Sequence, residues 1–323
     1  MRAIVYHRYG GPEVVGLAEM PKPSPKPNEV LVRINASTVT SGDWRARSLN
    51  LPAGFGLMGR PVFGFFGPRQ PILGTEFAGV VEAIGDRVTR FAKGDAVFAF
   101  TGAGFGGHAE YRTMPEDGLI APKPANISFE AAAALSFGGT TALTFLRDKG
   151  RIKPRDKVLI VGASGGVGTA AVQIARHLGA VVTGVTSTRN VELVRSIGAD
   201  RVIDYAQEDF ATAGVWDIIL DTTATASLRR CEVALNPGGR LVVVQGSFAQ
   251  ALGLERPAKA SGKQVHAGVT KIMADDIRTL AGLARLAALT PVIDRSYPLE
   301  DAAKAHAYVD TGRKRGNVVL SVS

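Results

Sequence analysis

Residues 157–190 read KVLIVGASGGVGTAAVQIARHLGAVVTGVTSTRN. Val158, Leu159, Ile160 and Val161 form a short apolar run rich in branched residues, the pattern of a strand covered on both faces. Ala163-Ser164-Gly165-Gly166-Val167-Gly168 follows, an A-x-G-x-x-G turn. In such a turn Gly165 lets the backbone approach a pyrophosphate and Gly168 lets the helix pack closely on the strand. The free N–H groups that open the helix then face phosphate oxygens. Val172, Ile174, Ala175 and Leu178 recur at mostly helical spacing up to Gly179, and residues 180–185 supply a second strand. Strand, turn, helix, stop and strand in that order predict a dinucleotide site held by Ala163 through Gly168. The plainer reading is a glycine-rich turn in some other α/β unit, and the order of the flanking elements argues against it.

The end of the second strand speaks to the choice of dinucleotide. NAD sites usually carry an acidic residue there, bonded to the adenosine ribose. This chain has Thr186-Ser187-Thr188-Arg189-Asn190, with no Asp or Glu before Glu192. A carboxylate would repel a 2′-phosphate, whereas a hydroxyl and a guanidinium offer it donors. NADPH is therefore expected over NADH, with Ser187 and Arg189 as the discriminating pair and Asn190 beside them. The alternative is a solvated surface role for Arg189.

With 323 residues the chain is long enough for two domains with proper cores. A hydrophobic share of 46% and a charged share of 21% argue against broad disorder. No uninterrupted apolar run approaches the roughly 18 residues of a membrane span, and the N-terminus lacks the apolar core of a signal peptide, so a cytoplasmic protein is expected. One cysteine, Cys231, leaves no intrachain disulfide and no cysteine-rich metal site, and reads as a packed thiol. The net charge of +9 is scattered rather than gathered into a basic tract with aromatics. It reads as solubility and attraction for a phosphorylated cofactor, and nucleic-acid binding is not expected.

Residues 1–125 look β-rich, with strands at 29–35, 75–85 and 95–100 and an extended proline-rich linker at 21–29. Ser128 reads as the N-cap of an alanine-rich helix without a full capping box. That helix is expected to break near Gly138-Gly139, with a second helix at 140–147. Strands at 201–204, 216–221 and 240–245 and a helix at 228–235 continue the βα alternation, with Asn236-Pro237-Gly238-Gly239 as a separating turn. The fold class expected is α/β with a doubly wound parallel sheet. A strand at 317–322 is expected to return to the first part of the chain.

These pieces resemble the medium-chain dehydrogenase/reductase superfamily, in its zinc-free quinone oxidoreductase and enone reductase branch. The resemblance is carried by Gly74-Thr75-Glu76-Phe77-Ala78-Gly79-Val80-Val81, by Val88-x-x-Phe91-x-x-Gly94-Asp95-x-Val97 and by the AxGxxG unit. It extends to Gly198-Ala199-Asp200-x-Val202-Ile203-Asp204-Tyr205, to the residues from Tyr297 to His306 and to Gly316-Asn317-Val318-Val319-Leu320. It implies a GroES-like catalytic domain at 1–125 completed by 291–323, and a Rossmann NADPH-binding domain at 126–290. Where zinc-dependent relatives carry Cys and Asp, this chain has Val39-Thr40-Ser41-Gly42-Asp43, and Gly74-Thr75-Glu76 replaces their Gly-His-Glu. Their four-cysteine lobe is absent, and zinc prefers Cys and His ligands, so a metal-free protein is expected.

In the N-x-x-D-x-x-x-R pattern of many zinc-free relatives, Thr40 stands at the Asn position, followed by Asp43 and Arg47. Thr40 and Asp43 become candidates for the catalytic cleft, although Asp43 and Arg47, four apart, equally read as a helical pair. The resemblance further implies Thr141 near the nicotinamide, Gln245-Gly246 and Asn317 along the cofactor channel, and Tyr205 near the adenosine. Thr141 as a packing residue and Tyr205 as a core residue are the alternatives.

Without a metal, the expected reaction is hydride delivery to an acceptor that is already electrophilic, a small apolar quinone or α,β-unsaturated carbonyl compound. Between Thr40 and Thr75 there is no tyrosine to donate a proton, as similar enoyl-thioester reductases have. Residues 51–71, LPAGFGLMGRPVFGFFGPRQP, hold Phe55, Met58, Phe63, Phe65 and Phe66, which read either as a lid over an apolar acceptor or as packing beneath a long loop. A zinc-free alcohol dehydrogenase-like protein and a non-enzymatic NADPH-responsive, crystallin-like protein are the rival readings. A homodimer joined through sheet edges is the expected assembly.

Overall fold

The apolar run at 158–161 forms a central strand of a parallel sheet in the computed structural model, which describes residues 1–254 and 262–322, with the backbone alone for Leu57 and Met58. The first part of the chain carries β1 (Arg2–Val5), β2 (Gly16–Glu19), β3 (Glu29–Val39), α1 (Ser41–Ser48), α2 (Gly56–Phe63) and β4 (Glu76–Ile84). Next come β5 (Ala96–Phe100), β6 (Tyr111–Pro115), β7 (Ile120–Pro122), α3 (Phe129–Ala133) and α4 (Ser136–Thr144). The nucleotide half begins with β8 (Lys157–Val161), α5 (Gly166–His177), β9 (Val181–Thr186), α6 (Val191–Ser196), β10 (Arg201–Asp204) and α7 (Phe210–Ala213). It continues through β11 (Trp216–Asp221), α8 (Leu228–Ala234), β12 (Leu235–Val243), α9 (Phe248–Ala251), β13 (Gln264–His266) and α10 (Ala274–Arg285). The chain closes with β14 (Ile293–Pro298), α11 (Ala302–Asp310) and β15 (Asn317–Ser321).

Six parallel strands stand in the order β10-β9-β8-β11-β12-β13. The branched residues of β8 sit between helical layers, with Val158, Leu159 and Ile160 each at 0% exposure. Full burial of such a side chain contributes about 1.5–3 kcal/mol. Strand order reverses between β8 and β11, which opens a crevice at their carboxyl ends, where open α/β sheets take ligands. A second sheet of seven strands runs β14-β15-β3-β4-β5-β7, with β6 pairing β3. As expected, the C-terminal strand joins this sheet, with Val318 opposite Val39 in an antiparallel pair.

Several local expectations are corrected. The helix break falls at Ala134–Leu135, and Gly138 and Gly139 lie inside α4, which runs on into a π-helical turn at Phe145–Lys149. The two glycines mark close packing: a Cβ on Gly138 would lie 2.6 Å from the Gly166 carbonyl oxygen, and one on Gly139 would strike Leu280. The stretch Phe129–Lys149 is long and apolar enough to cross a membrane by length and composition, but 72% of its apolar window is buried inside the protein. Residues 236–239 do not separate helix from strand. The register steps from Trp216–Leu235 to Ile218–Arg240, so they bulge out of β12. Residues 56–63, read as loop, form α2 with Pro61 inside it.

Candidate active site

The cofactor side begins with α5. Gly165 is its extended N-cap with no side-chain cap, and Thr169 N–H donates the first helical bond, to the Gly165 carbonyl at 2.8 Å. The N–H groups of Gly166, Val167 and Gly168 therefore have no carbonyl within the helix and stand open to an anion. Gly168 is obligatory, because a Cβ there would fall 2.1 Å from the Gly162 carbonyl oxygen. Ala163 is buried beneath the turn. The Ser164 hydroxyl accepts from Thr186 Oγ1 at 2.9 Å and from Asn190 Nδ2 at 3.0 Å, which ties the turn to the end of β9. Asn190 Oδ1 is buried with no partner, an acceptor suited to a ribose hydroxyl. Open N–H groups, a bare Cα track and an orphaned acceptor fit a dinucleotide.

Around the end of β9, Ser187 is half-buried and Arg189 is exposed, its Nη2 donating to the Arg313 carbonyl at 3.0 Å. Tyr205 is 65% exposed, which rules out the core reading, and its N–H bonds the Thr186 carbonyl. The nearby acid, Asp204, is turned into its own loop. It accepts from the Thr188 hydroxyl, Ala206 N–H and Gln207 Nε2, and these bonds hold its carboxyl below the usual range.

On the opposite wall Thr40 is the N-cap of α1 in a full capping box with Asp43. Asp43 Oδ2 accepts from Thr40 N–H at 2.8 Å and from Thr40 Oγ1 at 2.5 Å, while Oδ1 accepts from Gly74 N–H at 2.8 Å. Thr40 Oγ1 also lies 3.1 Å from Thr75 Oγ1, so the two residues that replace metal-ligand positions of the resembled family face each other. The Asp43–Arg47 helical pair does not form. Arg47 is fully buried and pairs with Asp310 at 2.5 and 2.6 Å. Thr141 is half-buried on α4, its hydroxyl donating back to the Phe137 carbonyl at 2.7 Å. Asn317 is brought to the turn, since a Cβ on Gly166 would lie 3.0 Å from its Oδ1. Gln245 donates to the Thr222 carbonyl at 3.2 Å and accepts from Arg45, which spans the two halves, and Gly246 is buried behind it.

Three charged groups escape the sequence reading. Glu76 is fully buried, bonded through its carboxyl to Thr38 Oγ1 and Phe137 N–H, and burial pushes it up to about 7. Lys314 Nζ lies 3.2 Å from where a Gly166 Cβ would be and donates to the Gly316 carbonyl at 2.6 Å. Burial lowers its pKa to about 8, against the pull of Glu76 and Asp294. Arg45 is the third. Glu76 stands in the quoted Gly74-Thr75-Glu76 but carried no role there, Arg45 and Lys314 belong to no recognisable spacing, and the fold brings the three in from distant parts of the chain. The same holds for His108 and His306, whose buried rings stack edge to face at 5.6 Å. Among the described residues no group of three or more His, Cys, Asp or Glu is gathered as a metal site.

The Phe-rich stretch divides. Phe65 and Phe66 point to solvent, Phe63 meets Phe105, and Phe55 packs edge to face on Phe248 of α9 at 5.3 Å, where Ala53 also accepts from Phe248 N–H at 2.9 Å. Met58 lies outside the described side chains. Cys231 is buried and its thiol is pushed up to about 12 by burial, an inert packed group.

The alcohol dehydrogenase GroES-like domain family matches residues 26–125, and the zinc-binding dehydrogenase family matches residues 197–320. A quinone oxidoreductase of Mus musculus is 32% identical over 99% of this chain and 97% of its own length. A solved quinone oxidoreductase from Coxiella burnetii superposes with a TM-score of 0.86 at 29% identity, covering 100% of this chain and 99% of that one. A solved NAD-dependent alcohol dehydrogenase gives 0.86 at 28% identity, with both chains fully covered. The chain belongs to the medium-chain dehydrogenase/reductase superfamily, in its quinone oxidoreductase branch. Its fold is a GroES-like β-rich unit joined to a Rossmann-type parallel sheet, and that family implies an oxidoreductase with a nicotinamide cofactor.

Proposed function

We propose that this protein is a zinc-independent, NADPH-dependent oxidoreductase that reduces a quinone or an α,β-unsaturated carbonyl compound. The observation that carries the reading is the pairing of two walls. One presents open N–H groups at Gly166–Gly168 with Lys314 beside them, and the other presents Thr40 and Thr75 hydroxyls 3.1 Å apart. The cofactor, when bound, supplies hydride to the acceptor. The protein's share is to hold the dinucleotide at the glycine turn, to orient the acceptor, and to stabilise charge that develops on the acceptor oxygen. Thr40 takes the last task by turning its single hydroxyl proton, donated to Asp43 in the free protein, toward the acceptor oxygen, while the Asp43 N–H and the Thr75 hydroxyl hold its oxygen in place. Ser187 and Arg189, with Asp204 turned away, favour the 2′-phosphate. Tyr205, Gln245, Gly246 and Asn317 complete the cofactor channel, and Thr141 stands beside the nicotinamide.

In the same reading residues 1–125 with 291–323 form the catalytic domain, residues 126–290 the cofactor domain, and the protein is a cytoplasmic homodimer. The named alcohol dehydrogenase among its structural relatives favours alcohol oxidation as the second reading, which the threonines at the metal positions weaken. Incubation with NADPH and a matched panel of quinones and enones, with products identified, tests the proposal. Hydroquinone or saturated ketone is the expected product. Turnover of alcohols alone would replace the reading with the second one, and binding of NADPH without any turnover would favour a non-enzymatic role.

A further inference from the structure

Two arginines leave α1 in different directions, and among the described residues only Arg47 meets a carboxylate. Arg47 is buried against Asp310 and the Gly10 carbonyl, an ion pair within the catalytic half. Arg45 is half-buried and reaches across to the cofactor half. Its Nη1 donates to the Asn50 carbonyl at 2.7 Å, its Nη2 donates to Gln245 Oε1, and its guanidinium lies 5.1 Å from the Trp44 ring centre. Both partners are neutral. Burial lowers its pKa, and among the described residues no carboxylate offsets that effect.

A guanidinium has five N–H donors in a planar fork that matches an acid group, and partial burial of a cation without a counter-ion is costly. The surroundings say what kind of molecule would supply the ion. Gln245 is anchored to the Thr222 carbonyl at the end of β11, beside the point where strand order reverses, so the fork reaches the ligand crevice from the α1 side. Three residues beyond Gln245, Phe248 packs on Phe55, and the Ala53–Phe248 backbone bond straps residues 53–55 to α9, so an aromatic pair stands a few residues from both partners of the fork. An aromatic pair beside such a fork suits a flat ring carrying an acid.

We infer that Arg45 is the specificity-determining residue of the acceptor site, selecting an electrophilic ring compound that bears an acidic substituent. The inference rests on the oxidoreductase reading above. The acid group displaces Gln245 from the fork and takes a bidentate pair, and the ring lies along Phe55 and Phe248. The chain's net charge of +9 assists the approach of such an anion.

The test compares 1,4-naphthoquinone with its 2-sulfonate, in the wild-type protein and in Arg45→Met and Arg45→Lys. Loss of a charge-assisted pair predicts that Arg45→Met lowers selectivity for the sulfonate over the neutral quinone about 10- to 100-fold, mainly through KM, with Arg45→Lys between. A strut between the two halves would change both acceptors alike, so an unchanged selectivity ratio overturns the inference. A ratio that holds while NADPH affinity falls also overturns it, by giving the fork to the cofactor. If the wild type consumes neither quinone, the quinone-reducing form of that reading fails by itself. Calorimetric binding of the sulfonate then decides the role of Arg45: weakened binding in Arg45→Met sustains it, and equal binding ends it.

Discussion

Arg189, bonded to the Arg313 carbonyl, and the next residue, Lys314, both lie along the expected cofactor path, and each carries a different phosphate argument. Arg189 lies at the end of β9, and among the described residues its guanidinium bonds one backbone carbonyl, that of Arg313, which leaves donors for a 2′-phosphate. Removal of a charge-assisted contact predicts that Arg189→Ala lowers the NADPH/NADH preference in kcat/KM about 10- to 100-fold. A preference that stays unchanged means that Arg189 is a surface residue. Lys314 adds a proton dependence. Its folded pKa, lowered to about 8 by burial, means that the ammonium is charged below that value and is lost above it. A bound phosphate favours the charged form, so NADPH binds most tightly below about pH 8 and its Kd rises as pH climbs, by at most about tenfold per unit. Fluorescence titration from pH 6.5 to 9.5 measures this. Lys314→Met weakens binding at the acid end and flattens the curve, whereas a flat wild-type curve contradicts the role.

At the scale of elements, α4 is pressed onto the glycine turn through Gly138. Helix propensity alone would make Gly138→Ala favourable, but its Cβ must enter space 2.6 Å from the Gly166 carbonyl oxygen. Overpacking against backbone predicts a loss of about 1–3 kcal/mol, read as a lower Tm, with weaker NADPH binding as the turn shifts. A raised Tm would mean that the contact yields cheaply. This position also shows what the sequence conceals. The fingerprint unit was legible because local order carries it: β8, α5 and β9 lie within two residues of their expected bounds. Glycine as a helix breaker failed at Gly138 and Gly139 because tertiary packing, not the local backbone, requires them. Thr40 and Asp43 were singled out by resemblance, and they meet in the capping box of α1. Glu76, Lys314 and Arg45 were not legible as a set, since strand pairing and the β15 return assemble them from positions far apart.

For the whole molecule, the two sheets share one apolar core, in which Phe98 and Ala121 cluster with Ile160 and Leu280, and polar contacts tie them again at the proposed cleft. Gly316 N–H donates to the Ser164 carbonyl at 2.8 Å, Glu76 binds the start of α4, and Arg45 meets Gln245. Charge, cofactor turn and acceptor wall therefore share one seam, and the account stands on chemistry occurring there without a metal. The most direct test is the rate of NADPH oxidation by 1,4-naphthoquinone in protein dialysed against a strong chelator, with metal content measured before and after. The account predicts turnover that survives removal of metal and falls at least tenfold when NADH replaces NADPH. Turnover that disappears with the metal and returns with zinc would contradict it.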